Sequence, residues 1–380
     1  MDLIGLETAD NERVTAFKDL RVNRNGSAVV FQAGGRTFVQ RIDDDSPATA
    51  IPVVSNDEGV TPYYSPSFVQ SSKTDLVIQS RWSDTSFTKF EVADLSSGKA
   101  YEVQGLGLGR YVSPAAISSS DGLTIAWIKL PGDTLTGDLV ATARPGLYIG
   151  VLDAETFSLG TARFVPSDIS IGDSSVQLSF IEGGGAGKLL LVQQSDIAFV
   201  VDLAGEPDKT GRPPHSTLAR GAMSAEISVH PSFESDSVIR SLYQKAELVA
   251  EKVAFVDFFH IYFALGSNIA KDESVWSKPG NATKGLARLS LDGGHDVVFS
   301  GDGSKVFWLL GTPGFFRSHP GLLTDSRNSQ VHICIGWKCR SLINANLPSQ
   351  MTRSSLASTV SRIFSIMRKL SLSILPMFLD

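Results

Sequence analysis

A short pattern recurs along this 380-residue chain: a β-rich segment, an Asn-Gly or Asp-Gly pair, and a second β-rich segment that carries an aromatic residue. Its clearest copies have the pair at Asn25-Gly26, Asp121-Gly122 and Asp302-Gly303. Both pairs favour hairpin turns because they accept the positive φ angles that such turns require. The alternation after each turn predicts that the aromatic residue lies on the buried face of a sheet. We therefore predict burial of five aromatic side chains in these and weaker copies: Phe31, Trp127, Phe199, Phe255 and Trp308.

Weaker copies of the pattern continue between the clear ones. Three of them begin at Tyr63, Ser175 and Ala225, and the last resumes at Glu251 after a long insertion. The turns that we expect before a fourth strand begin at Leu95, Leu152 and Leu289. Comparable starts are roughly 45 residues apart, which is the size of a four-stranded propeller blade. The sequence therefore predicts an all-β fold, a β-propeller of about six four-stranded blades over residues 14–311, followed by an irregular C-terminal tail over residues 312–380.

The stretch Leu289–Gly311, LSLDGGHDVVFSGDGSKVFWLLG, has two interpretations. One is a catalytic cluster of His295, Asp296 and Asp302. The other is a fourth strand, its loop and the first two strands of the next blade, in which the same three residues occupy a loop and a turn. Because the repeat accounts for the whole stretch, we expect the second. The last blade then ends after two strands, so closure uses N-terminal strands or strands outside this chain.

The composition changes sharply near Gly311. Residues 312–380 contain eight Lys/Arg and two Asp/Glu, a net charge of +6, whereas the preceding residues contain 26 and 38, a net charge of −12. The basic, Ser-rich tail is interpreted as a small domain or flexible tail, as sequence not selected to fold with the rest, or as a membrane-surface helix after Ser354. The third interpretation depends on an apolar stripe with helical spacing that lies next to basic residues. The stripe consists of Val360, Phe364, Met367 and Leu370. We expect the tail not to pack as part of the propeller.

The chain contains few groups with the spacing that catalysis requires. No two of its six histidines lie within four residues of each other: His215, His230, His260, His295, His319 and His332. A metal-dependent hydrolase site needs several convergent imidazoles, and a serine hydrolase needs a Gly-x-Ser-x-Gly turn, which the sequence lacks. The stretch EGGGAGKLLL from Glu182 lacks the first glycine and the hydroxyl of a phosphate-binding loop, so we predict a hairpin turn. We assign no catalytic, cofactor-binding or metal-binding residue and expect no cofactor.

The net charge of the chain, its apolar runs and its cysteines restrict the kinds of partner that we expect. A net charge of −6 argues against nucleic-acid binding of the usual basic kind. The N-terminus shows no secretory signal, and no apolar run is long enough to predict a membrane span. Cys334 and Cys339 alone cannot build a disulfide framework or a four-ligand zinc site. We expect a protein, a peptide or a hydrolase domain as the partner, with membrane-surface contact by the tail as the weakest alternative.

The repeats resemble those of a known family. Ser-Pro or Ser-x-x-Asp-Gly, a β run and a closing Leu-Asp-Gly-Gly form the pattern of TolB-type propeller repeats. The stretch from Val275 to Gly311 resembles the propeller that precedes the metal-dependent hydrolase domain of amidohydrolase-related proteins. That resemblance implies a non-catalytic module beside a (β/α)8 barrel with His, Lys and Asp ligands, whereas this chain turns into the tail at Thr312. The alternatives are a free-standing peptide- or protein-binding propeller and the propeller of a prolyl-oligopeptidase-type peptidase without its catalytic domain.

Overall fold

The computed structural model of the chain shows strands throughout the part that it describes. The described residues are 17–42, 48–54, 62–70, 75–120, 122–131, 144–171, 176–181, 188–194, 197–220, 226–231, 250–257, 260–265, 286–290, 294–310, 330–335 and 338–342. They form 24 strands and contain no helix. The strands follow one another in antiparallel groups of four, which makes the fold a six-bladed β-propeller. Among these residues no helix has the length and hydropathy needed to cross a bilayer.

The first three blades are built from consecutive strands. Their bounds are β1 (Phe17–Val22), β2 (Ala28–Ala33), β3 (Arg36–Arg41) and β4 (Thr49–Ala50) in blade 1, β5 (Tyr63–Gln70), β6 (Leu76–Ser83), β7 (Phe87–Asp94) and β8 (Lys99–Glu102) in blade 2, and β9 (Tyr111–Ser119), β10 (Gly122–Lys129), β11 (Gly146–Leu152) and β12 (Arg163–Val165) in blade 3. A short parallel pairing of β5 with β9 joins blades 2 and 3 into one eight-stranded sheet.

The remaining blades repeat this order. Their bounds are β13 (Gln177–Ile181), β14 (Leu189–Gln194), β15 (Ile197–Asp202) and β16 (His215–Arg220) in blade 4, β17 (Glu226–Pro231), β18 (Ala250–Asp257), β19 (His260–Leu265) and β20 (Leu286–Arg288) in blade 5, and β21 (His295–Phe299), β22 (Lys305–Leu310), β23 (Gln330–Ile335) and β24 (Lys338–Leu342) in blade 6. The hairpin predicted around the glycine-rich stretch after Glu182 is supported by its flanking strands, since β13 and β14 pair antiparallel. Residues 182–187 themselves lie outside the described residues.

Apolar side chains between neighbouring blades form the core. Phe90 of blade 2 meets Trp127 of blade 3 edge to face, with ring centroids 6.3 Å apart. Phe31 of blade 1 shares a buried cluster with Phe307 of blade 6. Blades 4 and 5 are linked by a hydrogen bond from the Val229 amide to Gln193 Oε1, at 2.7 Å. The first and last blades are therefore neighbours, and burial between blades holds the described sheets around a common centre.

The predicted aromatic core is confirmed at four of its five positions. Phe31, Trp127, Phe199 and Trp308 are exposed by only 0%, 2%, 3% and 2%. The side chain of Phe255 lies outside the described part of the structure, although its backbone is in β18.

Two of the three predicted turns share one geometry. Gly26 and Gly303 both have a φ of 64°, and each donates a backbone hydrogen bond to the residue three positions earlier, Asn23 or Ser300. These hydrogen bonds close four-residue turns whose final glycine adopts the left-handed conformation. Gly122 differs because it is the first residue of β10 with a φ of 130°, and a Cβ there would lie 2.2 Å from the Leu152 carbonyl oxygen. Glycine is therefore required at this turn by a close approach of two strands as well as by φ.

Two expectations about the C-terminal third need correction. The turn at Leu289 follows the fourth strand of blade 5 and leads into blade 6, since β20 ends at Arg288. The third and fourth strands of the last blade are supplied by β23 and β24, which pair with β22 and with each other. Neither N-terminal strands nor strands from outside the chain are needed there. Residues 330–342 of the expected tail thus join the last sheet, whereas the helix expected after Ser354 lies outside the described residues.

Candidate functional site: the two ends of the central channel

The first strand of each blade faces the centre of the propeller, and four of these inner strands contain the same irregularity. Asp19, Ser65, Ser113 and Asp296 have positive φ angles of 58°, 48°, 54° and 52°. The pairing register shifts at each of these positions, which marks a bulge in the inner strand. A positive φ in a residue other than glycine costs about 1 to 3 kcal/mol and persists only where surrounding contacts hold it. At Ser65 and Asp296, a carboxylate of the neighbouring blade supplies such a contact.

Carboxylates reach across blade boundaries to the bulges. Asp19 Oδ2 in blade 1 accepts a hydrogen bond from the backbone amide of Ser65 in blade 2, at 2.9 Å. Glu226 in blade 5 accepts two from blade 6, from the amide of Asp296 at 3.0 Å and from that of Val297 at 2.6 Å. His295 Nδ1 lies 3.4 Å from Asp296 Oδ2. We call Asp19, Glu226, Asp296 and His295 the carboxylate end of the channel.

Burial and crowding change the protonation of this end. Burial raises the pKa of Glu226 to about 7, with a further contribution from the neighbouring charge of Asp296. Its two backbone hydrogen bonds oppose this change because they favour the ionised form. Burial also raises the pKa of Asp19, which Arg21 partly opposes. The carboxylate end therefore loses negative charge as the pH falls toward neutrality.

The opposite end of the inner strands surrounds a cavity of about 660 Å³. Inner strands of five blades contribute to its wall, and the turns that follow β1 and β21 form part of its rim. We call this the cavity end. Its wall includes polar and aromatic side chains from the inner strands of blades 1, 2, 4 and 6: Arg21, Ser67, Phe68, Gln70, Gln177, Ser179 and Phe299. Ligand sites in proteins have typical volumes of about 300 to 1,000 Å³, so this cavity has the size of a small-ligand or peptide site.

Some polar side chains of the cavity wall are hydrogen-bonded within the protein, which we call engaged, and others are not, which we call open. Asn23 and Gln193 are engaged, since Asn23 Oδ1 accepts from the amides of Ser27 and Ala28 and Gln193 Oε1 accepts from Val229. In the part of the chain that the structure describes, no hydrogen bond engages the side chains of Ser67, Gln177 and Ser179. The Oε1 atom of Gln70 is buried without a hydrogen-bond partner. The cavity end therefore retains hydrogen-bonding capacity that the carboxylate end has used within the fold.

Arg21 lies between the two ends. One guanidinium nitrogen donates to the carbonyl of Leu20 at 2.7 Å, and no described carboxylate forms an ion pair with the group. Its charge interacts at longer range with Asp19, Asp296 and Glu226. Burial lowers the pKa of Arg21, but a guanidinium stays charged at any physiological pH. Arg21 therefore adds a positive charge to the cavity wall, and its other guanidinium nitrogens make no hydrogen bond to the described residues.

The structure places Asp302 apart from His295 and Asp296. Asp302 is in the β21–β22 turn as predicted, where its carboxylate accepts from the hydroxyl of Ser300 at 2.6 Å. His295 and Asp296 were expected in a loop, but they begin strand β21. The reason is the bulge at Asp296, which continues the strand through a position of positive φ.

The histidine side chains that the structure describes lie at separate places in the fold. His230 is buried in β17 at the cavity wall, with its Nε2 3.3 Å from the Gly301 carbonyl oxygen. His260 lies beside Arg288 in blade 5, and His215 begins β16. His319 lies outside the described residues, and His332 is described only by its backbone in β23. Over the described ranges, no three His, Cys, Asp or Glu side chains form a group that could hold a metal ion.

Sequence reasoning missed Asp19, Arg21 and Glu226. Asp19 and Arg21 belong to the first inner strand, and Glu226 begins the fifth. The available signal was the position within the repeat. In the first strand of their blades, Asp19 and Asp296 occupy the same position as Ser65 and Ser113, which precede proline in the Ser-Pro copies. An alignment of the repeats by inner strand would have brought these four positions together, but not Glu226, whose partners lie 70 and 71 residues away.

No family model matches the sequence, and no curated protein matches it. Among solved structures, the β-propeller domain of Cps50 (Swd1) from Myceliophteria thermophila is 10% identical with a TM-score of 0.41, covering 80% of this chain and 81% of that one. TolB from Acinetobacter baumannii is 10% identical with a TM-score of 0.39, covering 67% of this chain and 52% of that one. The WD40 domain of SCAP from fission yeast is 10% identical with a TM-score of 0.32, covering 88% of this chain and 76% of that one. The fold is assigned from this chain's own six groups of four strands, which make it a β-propeller module with a central cavity.

Proposed function

We propose that this β-propeller is a non-catalytic binding module and that its ligand enters the cavity end of the channel. The observation that carries the proposal is the contrast within the wall. Hydrogen-bonding groups of five blades converge on one cavity of about 660 Å³, and several of them have no partner among the described residues. Convergent polar groups in a partly apolar concavity are typical of a ligand site.

The proposal is tested by filling the cavity. Ser67 is half-buried in the wall, and Ser67→Trp would place an indole where the ligand is expected. Ser97→Trp is the matched control, since Ser97 is exposed and does not line the cavity. Ligands are sought with a mixture of N-acetylated tripeptides, and binding is read by ligand-observed NMR. Binding that Ser67→Trp removes and Ser97→Trp retains supports the proposal, whereas binding that survives both substitutions places the ligand elsewhere.

We further propose that the module belongs to an amidohydrolase-related protein. The support is the likeness of Val275–Gly311 to the propeller that precedes the metal-dependent hydrolase domain in that family. The alternatives are a free-standing binding propeller and a propeller that gates a peptidase domain. The genomic sequence downstream of codon 342, where β24 ends, distinguishes them. An open reading frame that encodes a barrel with a His-x-His pair supports the amidohydrolase-related protein. A domain with a Gly-x-Ser-x-Gly turn supports the peptidase alternative, and a stop codon with matching transcripts supports the free-standing module.

The charge reversal and the strand pairing give two different ends for the propeller, residue 311 and Leu342. Strands β23 and β24 extend the propeller to Leu342, so we propose that the independent tail begins after that residue. Limited proteolysis followed by mass spectrometry locates the boundary. A stable fragment that ends near residue 342 supports this placement, and one that ends near residue 311 supports the boundary drawn from the charge reversal.

A further inference from the structure

We propose that the cavity end recognises the C-terminal carboxylate of a peptide and that Arg21 is the residue that binds it. This inference rests on the proposed binding function and names the class of its ligand. The observation behind it is the state of the Arg21 guanidinium, which lines the cavity, makes one hydrogen bond to Leu20 and forms no ion pair among the described residues.

The planar arrangement of its donors makes the Arg21 guanidinium well suited to bind a planar anion. Arginine presents its donors in a rigid fork that matches the two oxygens of a carboxylate. One guanidinium nitrogen of Arg21 donates to the Leu20 carbonyl, which leaves the donors of its other nitrogens for a ligand carboxylate. Hydrogen bonds between two charged groups are roughly twice as strong as neutral ones. Arg21 is therefore the group in the wall best suited to anchor an anionic ligand.

The negative residues near Arg21 do not occupy this position. Asp19 and Glu226 direct their oxygens to backbone amides of the next blade. Asp296 lies beside His295. Two further carboxylates of the cavity wall are also engaged, since Asp75 faces Arg41 at 3.4 Å and Asp94 accepts from Ser96 and Ser97. A ligand carboxylate thus meets an arginine whose acidic neighbours are already bound to other groups.

The rest of the wall fits a peptide better than a small organic acid. Gln70 and Gln177 carry amides, which can donate to and accept from peptide groups. Ser67 and Ser179 add hydroxyls, and Phe68 and Phe299 supply apolar surface for side chains. The cavity volume of about 660 Å³ leaves room for residues that precede the carboxylate. Capture of a free chain end together with the last few side chains is an established mode of peptide recognition.

The test uses the full chain and two matched probe sets. One is the mixture of N-acetylated tripeptides with a free C-terminus, and the other is the same mixture as C-terminal amides. We expect the free acids to bind and the amides to bind at least tenfold more weakly. A third probe, acetyl-Ala-Glu-Ala amide, carries its carboxylate on a side chain and is expected to bind as weakly as the amides.

Substitutions assign the carboxylate to Arg21. Arg21→Lys keeps the positive charge beside Asp19 and Glu226 but removes the fork, so it should weaken free-acid binding at least tenfold. Arg36→Lys is the matched control, since Arg36 is exposed in β3 and does not line the cavity, and it should change binding less than twofold. The acid-to-amide comparison on the unsubstituted chain stands even if Arg21→Lys does not fold.

The outcomes separate this inference from the proposed function. Equal binding of acids and amides, or binding of the side-chain carboxylate as tight as that of the free acids, overturns the C-terminal assignment but leaves the cavity as a ligand site. Unchanged free-acid binding in a folded Arg21→Lys variant overturns the role of Arg21. Absence of binding by every probe set overturns the inference and also the proposal that the cavity end is a ligand site, as tested with tripeptides.

Discussion

The two ends of the central channel use similar polar residues in opposite ways. At the carboxylate end, Asp19 and Glu226 complete hydrogen bonds to backbone amides of the next blade. At the cavity end, Ser67, Gln177 and Ser179 make no side-chain hydrogen bond to the described residues. Polar groups that satisfy buried backbone stabilise a fold, whereas convergent open groups in a cavity are available to a ligand. The carboxylate end therefore links neighbouring blades, and the open groups of the cavity end support the proposal that a ligand binds there.

Residues of the last blade contribute to both ends of the channel. Removing part of this blade should therefore have the largest effect on stability. Deleting residues 312–380 removes β23 and β24 and leaves the edge of β22 unpaired behind β21. We expect loss of cooperative unfolding, or a stability loss above about 5 kcal/mol, which is a large fraction of a typical domain's stability. Deleting residues 343–380 is the matched control and should leave the urea unfolding transition unchanged. Equal transitions for both deletions would contradict the placement of β23 and β24 in the propeller.

Glu226→Ala should give the next largest effect. The substitution leaves the amides of Asp296 and Val297 without their acceptor at a bulge of positive φ. An unsatisfied buried donor costs about 1 to 3 kcal/mol, so we expect a destabilisation of about 2 to 4 kcal/mol by urea denaturation. Glu155→Ala is the control, because Glu155 is exposed in a surface turn, and it should stay within about 0.5 kcal/mol. A loss below 0.5 kcal/mol for Glu226→Ala would mean that this carboxylate does not hold blade 6.

The pH dependence of stability should distinguish the two ends. The pKa of Glu226 is raised from 4.5 to about 7 in the folded chain, so the folded form binds this proton more tightly than the unfolded form. Its contribution is complete below about pH 4.5 and is lost as the pH rises through about 7, with an order of magnitude of about 1 to 3 kcal/mol. Glu226→Gln should flatten the melting temperature between pH 5 and 8, whereas Ser179→Ala should keep the slope of the unsubstituted chain. A slope that Glu226→Gln leaves intact would assign the titration to another group.

The smallest effect on stability is expected at the cavity end. Ser179→Ala removes a half-buried hydroxyl that has no hydrogen bond to the described residues. Its stability should therefore remain within about 0.5 kcal/mol of the unsubstituted chain, as for substitutions away from structural contacts. Ligand binding should fall instead, by a few-fold in the tripeptide assay. A clear stability loss without a change in binding would remove the distinction between the two ends.

The local parts of the fold were predictable because their causes are local. Asn25-Gly26 and Asp302-Gly303 mark turns through the backbone freedom of glycine, and the alternation after them predicted the burial of Phe31 and Trp308. Their regular spacing predicted the number of blades. The strands at 330–342 escaped prediction because composition and charge change at residue 311, whereas pairing with β22 depends on the open edge of that strand.

The candidate site was much less predictable than the fold. Its carboxylate end joins Glu226 to Asp296 across 70 residues, and its cavity end combines inner strands of five blades. Such contacts depend on how whole blades pack, which a local pattern does not contain. The bulge also explains why the sequence predicted a loop at Asp296. A single residue of positive φ interrupts the local strand pattern, but the strand continues through it.

The most direct test of the division between the two ends is the ligand-induced change in melting temperature of two variants. With saturating free-acid tripeptides, we expect Arg21→Lys to melt within about 3 °C of the unsubstituted chain but to lose the ligand-induced rise, since ligand stabilisation depends on affinity. Glu226→Gln should melt at an altered temperature yet keep that rise. The reverse result, with the rise lost in Glu226→Gln and kept in Arg21→Lys, would contradict the assignment of one end to stability and the other to recognition.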